Sequence, residues 1–256
     1  MEEFIKQITK EAGKAVLEQY GKIGVKYTKE NIADVVTEAD LISSKIVIGA
    51  IKEKYPDHGI ISEEEKDHQN TADYVWYVDP IDGTRNFATR TPLFCVMVAL
   101  AHKGELYLST IYDPIQDELF FAKRGAGAFC NDQRIHCSET KEWKHSYGTS
   151  VANLKNPERI KRLGRLLDYS LKEIFWLDIF GSVGSSVIHV ADGRRDWYFS
   201  CGANAWDYAA GALLLQEAGC VVTNLEANPW KIGSVGLVAA NKYLHPKLLE
   251  IINSKK

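Results

Sequence analysis

The chain has 256 residues, enough to bury a sizeable core as one large domain or as two half-size ones. Its 45% hydrophobic, 25% charged and 11% aromatic content is that of an ordinary soluble globular protein. The net charge is −3 with the two signs interspersed and no basic face evident, so nucleic-acid binding has no electrostatic support.

The opening stretch, MEEFIKQITKEAGKAVLEQYG, starts acidic and lacks a continuous apolar run, and reads as neither a signal peptide nor a membrane span. Ile5, Ile8, Ala12, Ala15 and Tyr20 approximate one face of a helix that Gly21 can end. A second helix begins near TEADLISSKIVIGAIKEKY and stops before Pro56. Short runs rich in Val, Ile, Tyr and Phe follow as strands: HGIIS, YVWYVD, LFCVMVALA, ELYLSTIYD and ELFFAKR, with a hairpin turn at Lys103-Gly104. Beyond about residue 141, strand-like runs (EIFWLDIF, DWYFS, GCVVTN, VGLVAAN) alternate with helical ones. One helix opens with Asn156 as cap and Pro157 in its first position, and another, DYAAGALLLQEAG, is closed by Gly219. The pattern predicts an α/β protein whose first half, 1–140, holds a mainly antiparallel sheet. Its second half, 141–256, alternates strand and helix. The short stretch CSETKEWKH is the only candidate boundary, so 1–256 reads as one compact unit.

The acidic residues carry the chemistry. In YVDPIDGTRNF the strand is expected to end at Pro80, which has no N–H to donate, and Gly83 to turn the chain. Asp79 and Asp82 then project from the strand's end. Glu63, Glu64 and Glu65 directly follow the apolar run HGIIS. Asp207 begins the apolar helix of WDYAAGALLLQEAG, and Asp40 completes a possible capping box with Thr37. Each has a structural explanation on its own, as turn, cap or solvated charge. Together they sit at strand ends and helix starts, where α/β sheets bind ligands. Clustered carboxylates stay ionised only beside cations, and oxygen-only donors suit Mg²⁺ or Mn²⁺ rather than zinc. Elsewhere His189, Trp143, Trp176 and Trp197 read as packing residues. The five cysteines, odd in number and without a C-x-x-C pair, read as free thiols of a reducing cytoplasm.

DPIDGTRNF at 79–87 resembles the signature D-P-I/L-D-G-T-x-N-F of the inositol monophosphatase family, and WDYAAG at 206–211 resembles its second signature. SEEE and DVVTEAD match in the family's order, so the resemblance runs over nearly the whole length. It implies an α+β, layered α-β-α-β-α sandwich and a Mg²⁺-dependent, lithium-sensitive phosphomonoesterase, a cytoplasmic homodimer with two or three ions, Mn²⁺ substituting. Glu63, Asp79, Asp82, Asp207 and the carbonyl of Ile81 are implied as metal ligands, with Glu64 beside them. Asp40 and Thr84 are implied to orient the attacking water, and Lys29 to approach on a loop. Asp82, Gly83, Thr84, Gly181, Ser182, Val183 and Ser200 are implied at the substrate. Ser200 stands where animal inositol-specific members carry a glutamate, and Thr89 where the family often has histidine; both bear on which phosphate is cut. Inositol 1-phosphate leads as substrate among small phosphorylated polyols and sugars. Fructose-1,6-bisphosphatase, histidinol-phosphatase and 3'-phosphoadenosine 5'-phosphate phosphatase activities are the alternatives, and a transcription-machinery binding role is the reading from a different class.

Overall fold

The computed structural model describes residues 1–22, 25–28, 35–64, 71–151, 157–202 and 204–254. Lys29, Glu65 and the cap Asn156 lie outside the described residues.

Helix α1 (Glu2–Gln19) buries Ile5, Ile8, Ala12 and Val16, the three- and four-residue spacing of one apolar face. Strands β1 (Val25–Thr28) and β2 (Val35–Thr37) pair antiparallel. Helix α2 (Glu38–Lys54) opens on the expected capping box, with Thr37 as cap and Asp40 reaching back to the Thr37 N–H. The first sheet follows: β3 (Gly59–Ser62), β4 (Tyr74–Asp82), a single helical turn α3 (Thr84–Ala88), then β5 (Cys95–His102), β6 (Glu105–Asp113), β7 (Glu118–Lys123), β8 (Gly127–Cys130) and β9 (Gln133–Ile135). These seven strands lie in chain order, parallel at β3–β4 and antiparallel elsewhere.

The second half alternates as expected: β10 (Tyr147–Ser150), α4 (Pro157–Tyr169), β11 (Trp176–Ile179), α5 (Val183–Ala191), β12 (Trp197–Ser200), α6 (Ala205–Glu217), β13 (Val221–Thr223), β14 (Leu237–Ala240) and α7 (His245–Asn253). Its sheet runs β11-β10-β12-β14-β13, with β10 parallel to both neighbours and the β12–β14–β13 pairs antiparallel.

The apolar residues sort themselves into three cores. Along β5, Val96, Val98 and Leu100 join α1 and α2 on one face, while Cys95, Met97, Ala99 and Ala101 join α5 and α6 on the other. That is why LFCVMVALA is continuously apolar rather than alternating: both faces of the strand are buried. Tyr198 and Ala239 of the second sheet cover the opposite side of the α5–α6 layer. Trp197, Phe199, Val238 and Ala240 turn outward onto α4 and α7. The result is an α+β protein in five layers, α-β-α-β-α. Among the described residues no helix is long and apolar enough to cross a membrane.

Two expectations need correction. Strand β4 does not stop at Pro80; it continues to Asp82 through a register shift. Trp143 and Trp197 are buried packing residues, but Trp176, on the edge strand β11, is 63% exposed.

Candidate active site

The register shift explains the spacing of the two aspartates. Asp79 pairs with Met97 and Asp82 with Cys95, so three steps along β4 match two along β5. Residues three apart on a regular strand point to opposite faces. One extra residue on β4 restores the phase and turns both carboxylates to the face shared by Met97 and Cys95, towards α5 and α6. Pro80 is tolerated because it sits in the bulge, where no ladder N–H is required. Gly83 then takes a left-handed φ of 88°; a side chain there would begin 2.9 Å from the Leu93 carbonyl oxygen.

Both aspartates are buried. Burial pushes the Asp79 carboxyl well above the usual carboxylate range, and the charges of Glu63, Asp82, Asp207 and Asp40 push the same way. Segments distant in the chain thus converge on Asp79: the end of β3, the bulge of β4, and the first turns of α2 and α6. Among the described residues no hydrogen-bond donor reaches Asp79 Oδ1.

Asp82 is held differently. Its Oδ1 accepts the Val183 N–H at 3.0 Å, and its Oδ2 accepts the Gly184 N–H at 2.6 Å and the Ser182 hydroxyl. Burial raises its carboxyl, and those three donors oppose the rise. Ser182 is also the cap of α5, accepting the Ser185 N–H at 3.0 Å. Gly184 is closely packed: a side chain there would begin 3.0 Å from Cys95 Cβ and Met97 Sδ and 3.1 Å from Asp82 Oδ2.

Asp40 and Thr84 meet. Thr84 Oγ1 lies 2.9 Å from Asp40 Oδ1 and 2.8 Å from the Ile81 carbonyl oxygen, two acceptors for one proton. Asp40 Oδ2 accepts from the Thr37 N–H at 2.8 Å and the Thr37 hydroxyl at 2.6 Å. Burial pushes Asp40 up to about 6 against these bonds, and the Glu64 charge adds to the rise. Ser43 of α2 donates to the Pro80 carbonyl at 2.7 Å, fastening the helix to the bulge.

The remaining positions fall around this centre. Gly181 is exposed at the mouth of α5, but Ser182 and Val183 are buried and spend their donors on Asp82. Ser200 is buried beneath the start of α6, its hydroxyl 2.7 Å from that of Tyr208, which also accepts the Gly202 N–H at 2.7 Å. Thr89 is exposed and donates to the Arg85 carbonyl. Sequence reasoning missed Gly184 and the two residues that brace the loops, Tyr208 and Asn86. The latter donates to the carbonyls of Leu93 and Phe180 at 2.7 Å each. Ser182-x-x-Ser185 was the visible signal for the cap; nothing local in the sequence announces that the same serine serves Asp82.

Among the described residues no three acidic, histidine or cysteine side chains stand close enough to form a ready-made coordination sphere. The carboxylates converge in charge without closing on one another, as like charges do.

A layered α+β protein with acidic groups gathered around a bulged strand end is the class that fold and site define. The chain belongs to the inositol monophosphatase family, whose model matches residues 1–256. A putative Nus factor SuhB of Neisseria meningitidis serogroup B is 35% identical over 95% of this chain and 94% of its own length. The solved inositol monophosphatase of Anabaena (Nostoc) is 30% identical with a TM-score of 0.85, covering 98% of this chain and 94% of that one. An IMPase/NADP phosphatase solved with Mg²⁺ and phosphate is 25% identical with a TM-score of 0.82, covering 94% and 91%.

Proposed function

We propose that the chain is a Mg²⁺-dependent phosphomonoester hydrolase acting on inositol 1-phosphate or a related small polyol or sugar phosphate. The observation that carries the reading is Asp79: a buried carboxylate with an oxygen that is unpartnered among the described residues, under the charge of four other carboxylates. Such a group fits a small hard cation, and the charges that act on it are those of carboxylates. Glu63, Asp79, Asp82, Asp207 and the Ile81 carbonyl would hold Mg²⁺, with Glu64 beside them. When bound, the ions lower the pKa of water and neutralise charge that builds up on the phosphate and the leaving oxygen.

The chain's own residues supply position. Thr84 Oγ1, with its single proton directed to Asp40 Oδ1 or Ile81 O, keeps lone pairs with which to orient the attacking water. Asp40, fixed by two bonds from Thr37, takes the water's proton through that hydroxyl. The N–H groups of Gly83 and Thr84 receive the phosphate oxygens, and Gly181 stands at the wall of the substrate space. Asp82 is kept in place by Ser182, Val183 and Gly184. No protein nucleophile is required. A single catalytic unit in which the second half contributes Asp207, a cytoplasmic homodimer, Mn²⁺ substitution and lithium inhibition belong to the same proposal.

The test is phosphate release, with and without Mg²⁺, across inositol, sugar, nucleotide and histidinol phosphates. Release from inositol or sugar phosphates that stops on chelation is the expected result. No release from any ester would overturn the reading. The name of the Neisseria relative favours one further reading, an added role at the transcription machinery. Retained binding by an Asp79→Asn variant that has lost phosphate release would support it; no binding by either form would remove it.

A further inference from the structure

A pair of thiols stands away from the carboxylates, at the joint between the two sheets. Cys137 follows β9, and its N–H donates to the Ala218 carbonyl at 3.0 Å, which sets it against the turn between α6 and β13. Its Sγ lies 3.9 Å from the point where a side chain on Gly219 would begin. Cys220 follows Gly219 directly, the two thiols act on each other's protonation, and both pack on the middle core. All five cysteines are free, and these two differ in access: Cys137 is half-buried, Cys220 buried.

We propose that Cys137 and Cys220 form a redox-active dithiol that closes to a disulfide by exchange with a low-molecular-weight disulfide. The Cys137 thiolate attacks one sulfur of RS–SR, forming a mixed disulfide and releasing RS⁻. Cys220 gives its proton to a released RS⁻, and its sulfur attacks Cys137 Sγ, forming the Cys137–Cys220 bond and expelling the second thiolate. In sum, two protein thiols and RSSR become one protein disulfide and two RSH; the protein loses two electrons and RSSR gains them.

The roles follow from placement. Cys137 is the reachable sulfur, and the hydrogen bond from Cys220 draws its thiol below the ordinary range although burial opposes this. Cys220 is pushed well up, first by donating to Cys137 and then by burial, which suits the sulfur that waits and resolves. Asp207 lies in the first turn of α6 and Cys220 beyond its last, roughly 20 Å apart at 1.5 Å per residue. Closure therefore clamps the connector of the first sheet to the second sheet and leaves the carboxylates alone.

The internal comparison is Cys130, also half-buried, whose thiol burial pushes up to about 11. The thiolate is thus favoured at Cys137 over Cys130, and the lower nucleophilicity of the weaker base offsets part of that advantage. Iodoacetamide on the native wild-type protein at neutral pH should thus alkylate Cys137 at least several-fold faster than Cys130. Treatment with oxidised glutathione should yield a linked 137–220 peptide that dithiothreitol removes, with phosphate release unchanged. In Cys220→Ala the glutathione adduct should stay on Cys137; in Cys137→Ala, Cys220 should carry none. Equal alkylation of Cys137 and Cys130, or a link that forms only after denaturation, would overturn the proposal. Because alkylation and glutathione treatment use the wild type, misfolding of either variant leaves the test intact.

Discussion

Ser182→Ala tests whether the hydroxyl at the mouth of α5 does two jobs at once. The substitution removes the donor to Asp82 Oδ2 and the cap acceptor for the Ser185 N–H, while the Val183 and Gly184 N–H groups remain on the carboxylate. Loss of a cap costs about 1 kcal/mol, and loss of a bond to a buried carboxylate about 1.5–3 kcal/mol. The sum is about 3 kcal/mol in the metal-free protein. At about 2–4 °C per kcal/mol for a chain of this size, that is a fall in Tm of roughly 10 °C. Urea denaturation and thermal melts of Ser182→Ala beside Ser170→Ala, an exposed control, measure it. Asp82 less firmly held should also raise the Mg²⁺ concentration for half-maximal phosphate release about tenfold or more. A loss below about 0.5 kcal/mol with unchanged Mg²⁺ dependence would refute the dual role.

Tyr208→Phe strips the hydroxyl that joins Ser200 Oγ to the Gly202 N–H, leaving both buried. It should cost about 1–3 kcal/mol by denaturation and reduce phosphate release, because that loop leads into α6 and Asp207; an unchanged midpoint would contradict it. Ser200→Glu would place a charge in that buried spot, so it should lower stability instead of raising preference for inositol 1-phosphate; relative rates on inositol and sugar phosphates check this. For pH, burial lowers the pKa of both His189 and His245 in the fold, so the unfolded chain binds protons first as pH falls. Their contribution is complete above about 6.5 and is lost as pH drops through the folded values. Over the same range, protonation of the buried Asp40, Asp79 and Asp82, whose carboxyls burial raises, works the other way. Melts from about pH 8 to about pH 5 therefore read the histidines as a difference between wild type and a variant lacking them. Relative to His189→Gln/His245→Gln, the wild type should lose Tm as pH drops; a constant difference between the two would assign the effect elsewhere.

The legible parts of the sequence were those in which one local pattern had one physical cause. LFCVMVALA reads as a strand buried on both faces, and Thr37-x-x-Asp40 as a helix start, because period and capping chemistry are local. Strand β10 went unseen: YGTS is short and polar, yet it runs parallel between β11 and β12. Gly148 is bare there because a side chain would begin 2.0 Å from Trp197. Pro80 was misread because a proline ends a regular ladder, whereas a bulge exempts it. Helix α7 was passed over, although Leu248, Ile251 and Ile252 complete the outer core. In the site, the spacing of Asp79, Asp82 and Asp207 was visible. The bonds from α5 to Asp82 and from Tyr208 to Ser200 depend on which elements pack together, and a linear pattern does not carry that. Trp176 shows the same limit, since aromatic content does not say which strand lies at a sheet edge.

The measurement closest to the centre is Mg²⁺ titration of the wild type and Asp79→Asn, read by thermal melt and by phosphate release from inositol 1-phosphate. In the wild type, Mg²⁺ should raise Tm by several degrees, about 2.7 kcal/mol at a hundredfold excess over Kd, and switch on release. Asp79→Asn, relieved of like-charge crowding, should melt at or above the metal-free wild type and respond to Mg²⁺ in neither assay. A wild type indifferent to Mg²⁺ in both, or an Asp79→Asn variant that binds and hydrolyses as well as the parent, would contradict the account.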